Sequence, residues 1–397
     1  MVTIRMKRST DYEIELEQID KDIAALEDSV SVGPIDIEKT TRLVYRRYHR
    51  ASLTGNLAEF EVVENAIDDA IYRFGPWADL CFLKANLDFK FHRLREVRRD
   101  LEMVPGLADC LQGRALKADL DLQEGRYENA RKGYEEVIQD DPTWDNLVRL
   151  AYLKAEMGDI PGAERLYIKA EDEITAKEMR SYAWVELQRG LLAFAHGYYE
   201  STWAHYRRAN EAYSGYWLID KHIAELLGAQ GKLDAAVALY EEVIASIPKP
   251  EIQQALGDLY VALGKPDQAE LWYEKALVAY LGSVRRGDVH YIHHLAHFYA
   301  DVRENGAEAV RWARKDLELR RNSWTQAALA WALYRNGQFA KALDAMHEAL
   351  APGVKSAKLF YRAGIIYLAA GRTGEGKQFL REAGEINPHY QDGLVHR

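Results

Sequence analysis

Residues 217–277, WLIDKHIAELLGAQGKLDAAVALYEEVIASIPKPEIQQALGDLYVALGKPDQAELWYEKAL, carry one pattern twice. In the first copy Ile223 and Ala224 are followed by Leu227, Gly231, Ala236, Tyr240, Val243 and Pro248. In the second, Leu256 and Gly257 are followed by Tyr260, Gly264, Ala269, Tyr273 and Ala276, and every matched pair lies 33 residues apart. Each copy reads as two short helices. A glycine at 231 or 264 takes the left-handed backbone that closes the first helix without a Cβ penalty. Small residues at 224 and 236, or 257 and 269, let the two helices cross closely, and Tyr240 or Tyr273 fills the space they leave. A helix pair of this size cannot bury its apolar face alone, so it must stack on neighbours.

The pattern resembles the tetratricopeptide repeat, with small residues at positions 8 and 20, an aromatic at 24 and a proline near 32. The same frame runs along most of the chain. Position 8 falls at Ala85, Ala118, Ala151, Gly190, Ala224, Gly257, Ala296, Ala330 and Gly364, with successive spacings of 33, 33, 39, 34, 33, 39, 34 and 34. Position 15 is glycine at 125, 158, 197, 231, 264, 337 and 371. Position 20 is alanine at 130, 163, 236, 269 and 342, and position 24 is tyrosine at 134, 167, 206, 240 and 273. The resemblance implies an all-α fold, a right-handed α–α superhelix of about ten helix-turn-helix repeats. It divides the chain into an N-terminal capping helix and turn (1–36), a superhelix (37–390, regular from about residue 77) and a polar tail (391–397).

The chain has 397 residues, 48% of them hydrophobic and 29% charged, an ordinary soluble composition. Its formal net charge of −10 speaks against a nucleic-acid platform, which presents a basic balance. Cys81 and Cys110 cannot build a disulfide framework; they read as small buried residues, or as a single bridge in an oxidising compartment. No apolar run reaches the length that spans a bilayer, so membrane insertion is not expected. Residues 1–10 lack the apolar core of a signal peptide. A cytoplasmic location is the default, and an extracytoplasmic one follows if a leader has been removed.

Residues 11–30 read as an acidic amphipathic helix. Thr10 and Glu13 fit a capping box. Leu16, Ile19, Ile23, Leu26 and Val30 form a stripe at heptad spacing, suited to docking on the first repeat or to homo-oligomerisation. Gly33-Pro34 marks a turn. Residues 37–75 form a degenerate first repeat whose opening helix carries Arg42, Arg46, Arg47, His49 and Arg50. That strip is either a solvated face or a contact for an acidic peptide. Extra residues around 171–176 and within 278–288 lengthen a second helix or its loop. The repeat built on Ala296 replaces its tight turn with residues 301–306.

The family resemblance implies that first helices line the concave surface through positions 2, 5, 9, 12 and 13. On the helix starting near Val289, Ile292, Leu295, Ala296 and Tyr299 share one face. His290, His293, His294, His297 and Asp301 share the opposite one, within about 100 degrees. The i, i+4 pairs His290/His294 and His293/His297 suit two imidazoles on one metal ion; the other reading is a polar groove wall. The next repeat places Trp324, Trp331, Tyr334 and Arg335 at positions 2, 9, 12 and 13, which is hot-spot chemistry for a peptide or partner helix. Trp184, Leu187, Leu191 and Phe194 form a further apolar strip on the fifth repeat.

No phosphate loop, nucleophile elbow or cysteine-based zinc motif is present. The sequence therefore points to a non-enzymatic scaffold without a cofactor, whose concave face captures a protein or peptide. The alternatives are a metal-binding accessory protein using the 290–297 helix and a peptide-responsive regulator.

Overall fold

The computed structural model describes residues 9–31 and 36–390, and among these no strand occurs. The Gly33-Pro34 turn and the polar tail lie outside the described residues. Helix α1 (Asp11–Ser31) precedes a series of helix pairs. The first five are α2 (Ile37–Thr54) with α3 (Leu57–Phe74), α4 (Ala78–Lys90) with α5 (Leu94–Glu102), α6 (Leu111–Gln123) with α7 (Tyr127–Asp140), α8 (Trp144–Glu156) with α9 (Ile160–Glu173), and α10 (Met179–Ala195) with α11 (Tyr199–Ala212). The next five are α12 (Trp217–Ala229) with α13 (Leu233–Ser246), α14 (Pro250–Ala262) with α15 (Pro266–Arg285), α16 (Ile292–His297) with α17 (Gly306–Leu319), α18 (Ser323–Arg335) with α19 (Phe339–Leu350), and α20 (Ala357–Ala369) with α21 (Thr373–Ile386). The chain is thus an all-α superhelix of helix pairs.

Inside the pairs the small residues of the repeat pattern are buried. Ala130, Ala163, Ala236 and Ala342 have no exposed surface, and Tyr134, Tyr206 and Tyr240 are no more than 1% exposed. Gly257 shows why size matters at position 8: a Cβ there would lie 2.6 Å from the ring of Tyr273. The two longer intervals have different outcomes. One becomes a loop after α9 and a longer α10 (17 residues); the other extends α15 to 20 residues.

The pair built on Ala296 departs because α16 runs into a π-helical turn, Phe298–Val302. A π turn takes up one extra residue. The left-handed position therefore slips from Arg303, where the frame puts it, to Glu304, whose φ is 49°. The other repeat without glycine at position 15 is the second, and there His92 itself adopts φ 61°.

Successive turns of the superhelix are in direct contact, six pairs apart. The turn between α2 and α3 meets the starts of the sixth and seventh pairs: Trp217 Nε1, at the start of the sixth, donates to Leu53 O (3.0 Å), and Lys249, just before the seventh, lies over Gly55. His92, between α4 and α5, stacks on His290 with ring centroids 5.8 Å apart. Asn322 Nδ2 donates to Gln123 O (2.9 Å) beside Gly125, and Lys355 N donates to Glu156 O (2.8 Å) beside Gly158. Asn387 Nδ2 donates to Ala195 O (3.1 Å) beside Gly197. Glycine at 125, 158 and 197 thus serves twice, for its positive φ and because the next turn leaves no room for a Cβ. Gly231, Gly264, Gly337 and Gly371, on the second turn, have nothing within 4 Å.

Helix α1 obeys the same spacing. Thr10 and Glu13 form the expected capping box (2.8 and 3.2 Å), and Tyr12 N donates to Ser214 O (3.1 Å) just before α12. Ile19 is 2% exposed, and Leu16 and Ile23 pack with it against Tyr213, Ile219 and Leu226. Leu16, Ile19 and Ile23 of the heptad stripe are thus occupied by the chain's own second turn, while Leu26 lines the cavity between α1 and α2. The basic strip on α2 also meets an acidic helix of the same chain: Arg46 pairs with Asp22 (3.0 Å), Arg47 with Glu27 (2.7 Å) and Arg50 with Asp20 (2.6 Å). Cys81 and Cys110 are both free thiols.

Candidate functional site: the inner groove

The first helices line an inner groove composed of three cavities that share walls. A cavity of about 840 Å³ opens between α1 and α2, lined by Asp22, Arg42 and Arg46. It shares His49, Ser52 and Arg180 with a cavity of about 620 Å³, and that one shares Tyr152 and Gln188 with a third of about 480 Å³.

The middle cavity is aromatic. Trp144, at the start of α8, meets Trp184 of α10 edge to face at 6.0 Å, and Tyr152, Tyr134 and Tyr216 complete its walls. Trp184 keeps 37% of its surface exposed, an unusual fraction for a tryptophan inside a curve. The polar corner is Arg149, which donates to Asp119 Oδ2 (3.1 Å) and Asp145 Oδ2 (2.8 Å). Burial is the largest influence on Asp119 and raises its carboxyl; Arg149 and Tyr134 oppose it.

The third cavity is charged and spans both superhelical turns. Glu156 accepts from Trp324 Nε1 of the later turn (2.7 Å), and burial raises its carboxyl to about 7. Lys221 is matched by Glu225 at 2.7 Å. Lys358, at the start of α20, has no carboxylate of the described residues within ion-pair distance; burial, reinforced by Arg362, lowers its amine to about 7.

The histidine face of α16 lies opposite Ile292, Leu295 and Ala296, which are buried in the stack. It meets the preceding superhelical turn there. His290 lies between Phe91 (5.7 Å) and His92 (5.8 Å), whereas His294 lies flat on Tyr280 at 5.4 Å and 11°. The i, i+4 partners thus turn toward different neighbours. Among the described residues no three His, Cys, Asp or Glu side chains are arranged to hold a metal ion. Burial is the main cause that lowers His290 to about 4 and His294 to about 3, and it also holds His293 and His297 well below the usual imidazole range. The Nδ1 atoms of His92, His290 and His293 are buried without a hydrogen-bond partner.

The aromatic wall on α18 is engaged within the chain. Trp331 Nε1 donates to Asp301 Oδ1 (2.7 Å), the guanidinium of Arg362 covers the Trp331 ring at 4.9 Å, and Tyr334 stacks on it at 5.0 Å. Arg335 donates to Ala300 O (2.9 Å) and pairs with Glu304 (2.7 Å). In the fifth repeat Trp184 and Leu191 line the cavities, Phe194 is 8% exposed at the edge of the third, and Leu187 is buried at 1% in the stack.

Trp144, Tyr152, Arg149, Glu156 and Lys358 were not singled out from the sequence. Three of them stand at concave positions of the repeat frame: Tyr152 and Glu156 are positions 9 and 13 of the fourth repeat, and Lys358 is position 2 of the tenth. Carrying the positional rule through every repeat finds them. Nothing local marks His92, because its partner lies 198 residues away.

Residues 223–283 and 327–390 match the family model for the tetratricopeptide repeat. Two solved structures are similar: the APC/C hetero-tetramer Cut9-Hcn1 (16% identity, 97% of this chain and 82% of that one, TM-score 0.45), and a tetratricopeptide repeat protein from Parabacteroides merdae (16% identity, 72% and 99%, TM-score 0.37). No curated protein matches. No helix among the described residues is long and apolar enough to cross a membrane.

Proposed function

We propose, from the premise that this chain is a tetratricopeptide-repeat protein, that it is a non-catalytic scaffold whose inner groove holds an extended segment of a partner protein. Helical repeat arrays use their concave surface in this way, and such folds are typically non-catalytic.

The observation that carries the reading is the shared walls of the three cavities, which make one continuous track. A track suits an extended peptide better than a compact metabolite. Its centre is a partly exposed tryptophan pair beside an arginine, the residue types that dominate binding energy at interfaces. The α18 residues Trp331 and Arg335 have a supporting part in this reading. Their hydrogen bonds run to Asp301, Ala300 and Glu304, and so fix the π turn that follows the histidine-bearing helix α16.

The test is affinity capture from the native cell with the double variant Trp144→Ala, Trp184→Ala, followed by mass spectrometry. Partners retained by the wild-type chain should be lost, with the helical circular dichroism signal unchanged. Equal capture by the variant rejects the groove. The paired variant Trp331→Phe, Arg335→Lys should weaken capture only to the extent that it lowers the melting temperature.

A further inference from the structure

The face of an indole ring carries the negative end of its quadrupole and attracts cations. This chain covers several of its tryptophans with cations of its own. Lys249 lies over Trp217 at 5.3 Å, Lys275 over Trp272 at 3.9 Å, Arg311 over Trp312 at 4.4 Å and Arg362 over Trp331 at 4.9 Å. Trp144 and Trp184 differ. Their planes meet at 63°, so the two indoles form a corner of the middle cavity, and the exposed ring of Tyr152 lines the same space. Among the described residues no lysine or arginine lies over either indole.

The charges beside this corner leave one carboxylate over. The charged side chains lining the cavity are Asp119, Asp145, Arg149 and Arg180. Arg149 is shared between Asp119 at 3.1 Å and Asp145 at 2.8 Å, one cation against two acids. Asp119 accepts from Tyr134 as well, at 2.8 Å, and both bonds favour its ionised form against the upward pull of burial. Arg180 is taken by Glu15 of α1 at 2.9 Å, so it does not cancel the surplus. Asp145 follows Trp144 in the chain, and its side chain is 46% exposed, which leaves it accessible to a second cation.

We propose that the Trp144–Trp184 corner seats a cationic side chain of the bound segment, a guanidinium or an ammonium, with the indole faces as its walls and Asp145 as its counter-ion. The proposal rests on the groove being the binding surface, and it names the chemistry of the partner residue at the groove's centre. A guanidinium fits on two counts. It is planar and weakly hydrated, so it stacks on an indole, and its N–H groups can donate to a carboxylate at the same time. An ammonium makes the same two contacts as a compact point charge. An apolar side chain would fill the corner by area alone, and would take water from the surplus carboxylate without replacing it.

Nuclear magnetic resonance of the full chain, isotopically labelled at its nine tryptophan indoles, tests this. The Trp144 and Trp184 signals are identified by their loss in the Trp144→Phe and Trp184→Phe variants. The probes are N-acetyl-arginine amide, N-acetyl-lysine amide and the neutral N-acetyl-norleucine amide. The expected result is saturable movement of both signals with at least one cationic probe in the millimolar range, and binding of the norleucine probe weaker by about fivefold or more. Trp184→Leu keeps apolar area but loses the π face, and should weaken the cationic probe by about three- to thirtyfold, whereas Trp184→Tyr should retain most of its affinity. Asp145→Asn should weaken the cationic probes and leave the norleucine probe unchanged. Preference for the arginine probe assigns a guanidinium, and preference for the lysine probe an ammonium. No saturation with either cationic probe, equal binding of norleucine, or wild-type affinity in Trp184→Leu overturns the proposal. Partner capture lost in the Trp144→Ala, Trp184→Ala chain while no cationic probe binds keeps the groove and removes this seat. Probe binding with undiminished capture keeps the seat and removes the groove as the partner's surface, so the two failures are separable.

Discussion

At the scale of single residues, the position 24 tyrosines make a natural comparison. Tyr134 donates to Asp119 Oδ1 at 2.8 Å, whereas the hydroxyl of Tyr240 is buried without a partner. Removing a hydroxyl that has no partner avoids a desolvation cost; removing a satisfied one strips a carboxylate of its donor. Tyr240→Phe is therefore expected to be neutral or stabilising by up to about 1 kcal/mol, and Tyr134→Phe to destabilise by about 1–2 kcal/mol, in urea titrations. Gly257→Ala brings a Cβ to 2.6 Å from the Tyr273 ring and should cost about 1–3 kcal/mol by overpacking. This scale was the most legible from sequence. A small residue or a positive-φ glycine leaves a local mark, and the frame puts it at a fixed place. The frame did not reveal that Gly125 and Gly158 are also pressed by Arg321 and Lys355, because that crowding comes from another turn of the superhelix.

At the scale of one element, α16 sets the response to acid. The unfolded chain takes up protons on its histidines below an ordinary pKa of about 6.5, whereas folding lowers His290 to about 4 and His294 to about 3. Between those limits the unfolded state binds more protons than the folded one, so stability is complete above about pH 6.5 and falls as pH drops toward 4. Urea midpoints measured at pH 7 and pH 5 should differ accordingly, and His294→Gln should flatten the difference. A midpoint unchanged across that interval would show the imidazoles to be free of the interior. Periodicity alone revealed that the histidines share a face and that Ile292 and Leu295 share the other. It left open what the face meets, and the π turn, which moves the left-handed residue to Glu304, has no signature in helical spacing.

At the scale of the whole molecule, the six-pair spacing makes this array stiffer than a solenoid held by neighbours alone. Tyr127 accepts from Ser323 N at 3.0 Å inside the contact between turns, and Tyr127→Phe leaves a buried N–H unsatisfied, an expected loss of about 1–3 kcal/mol. Combining it with Asn322→Ala and Trp324→Phe should raise the radius of gyration seen by small-angle X-ray scattering while far-ultraviolet circular dichroism stays constant. An unchanged radius would mean that contacts between adjacent pairs suffice for the shape. The repeat count was readable because each brick is self-similar, but the number of bricks per circuit depends on small angles summed over six of them.

The stacking of turns has a consequence for how such a chain can change over evolutionary time. An open solenoid tolerates gain or loss of a module, because each module touches only its neighbours. Here excision of a single brick from the middle would slide one thread of the screw against the other by a full tooth. Asn322 would no longer find Gln123, nor His290 its mate His92. Viable descendants should accordingly vary in loops and at the free crest near Gly231, Gly264, Gly337 and Gly371, while module number across the meshed circuit stays locked.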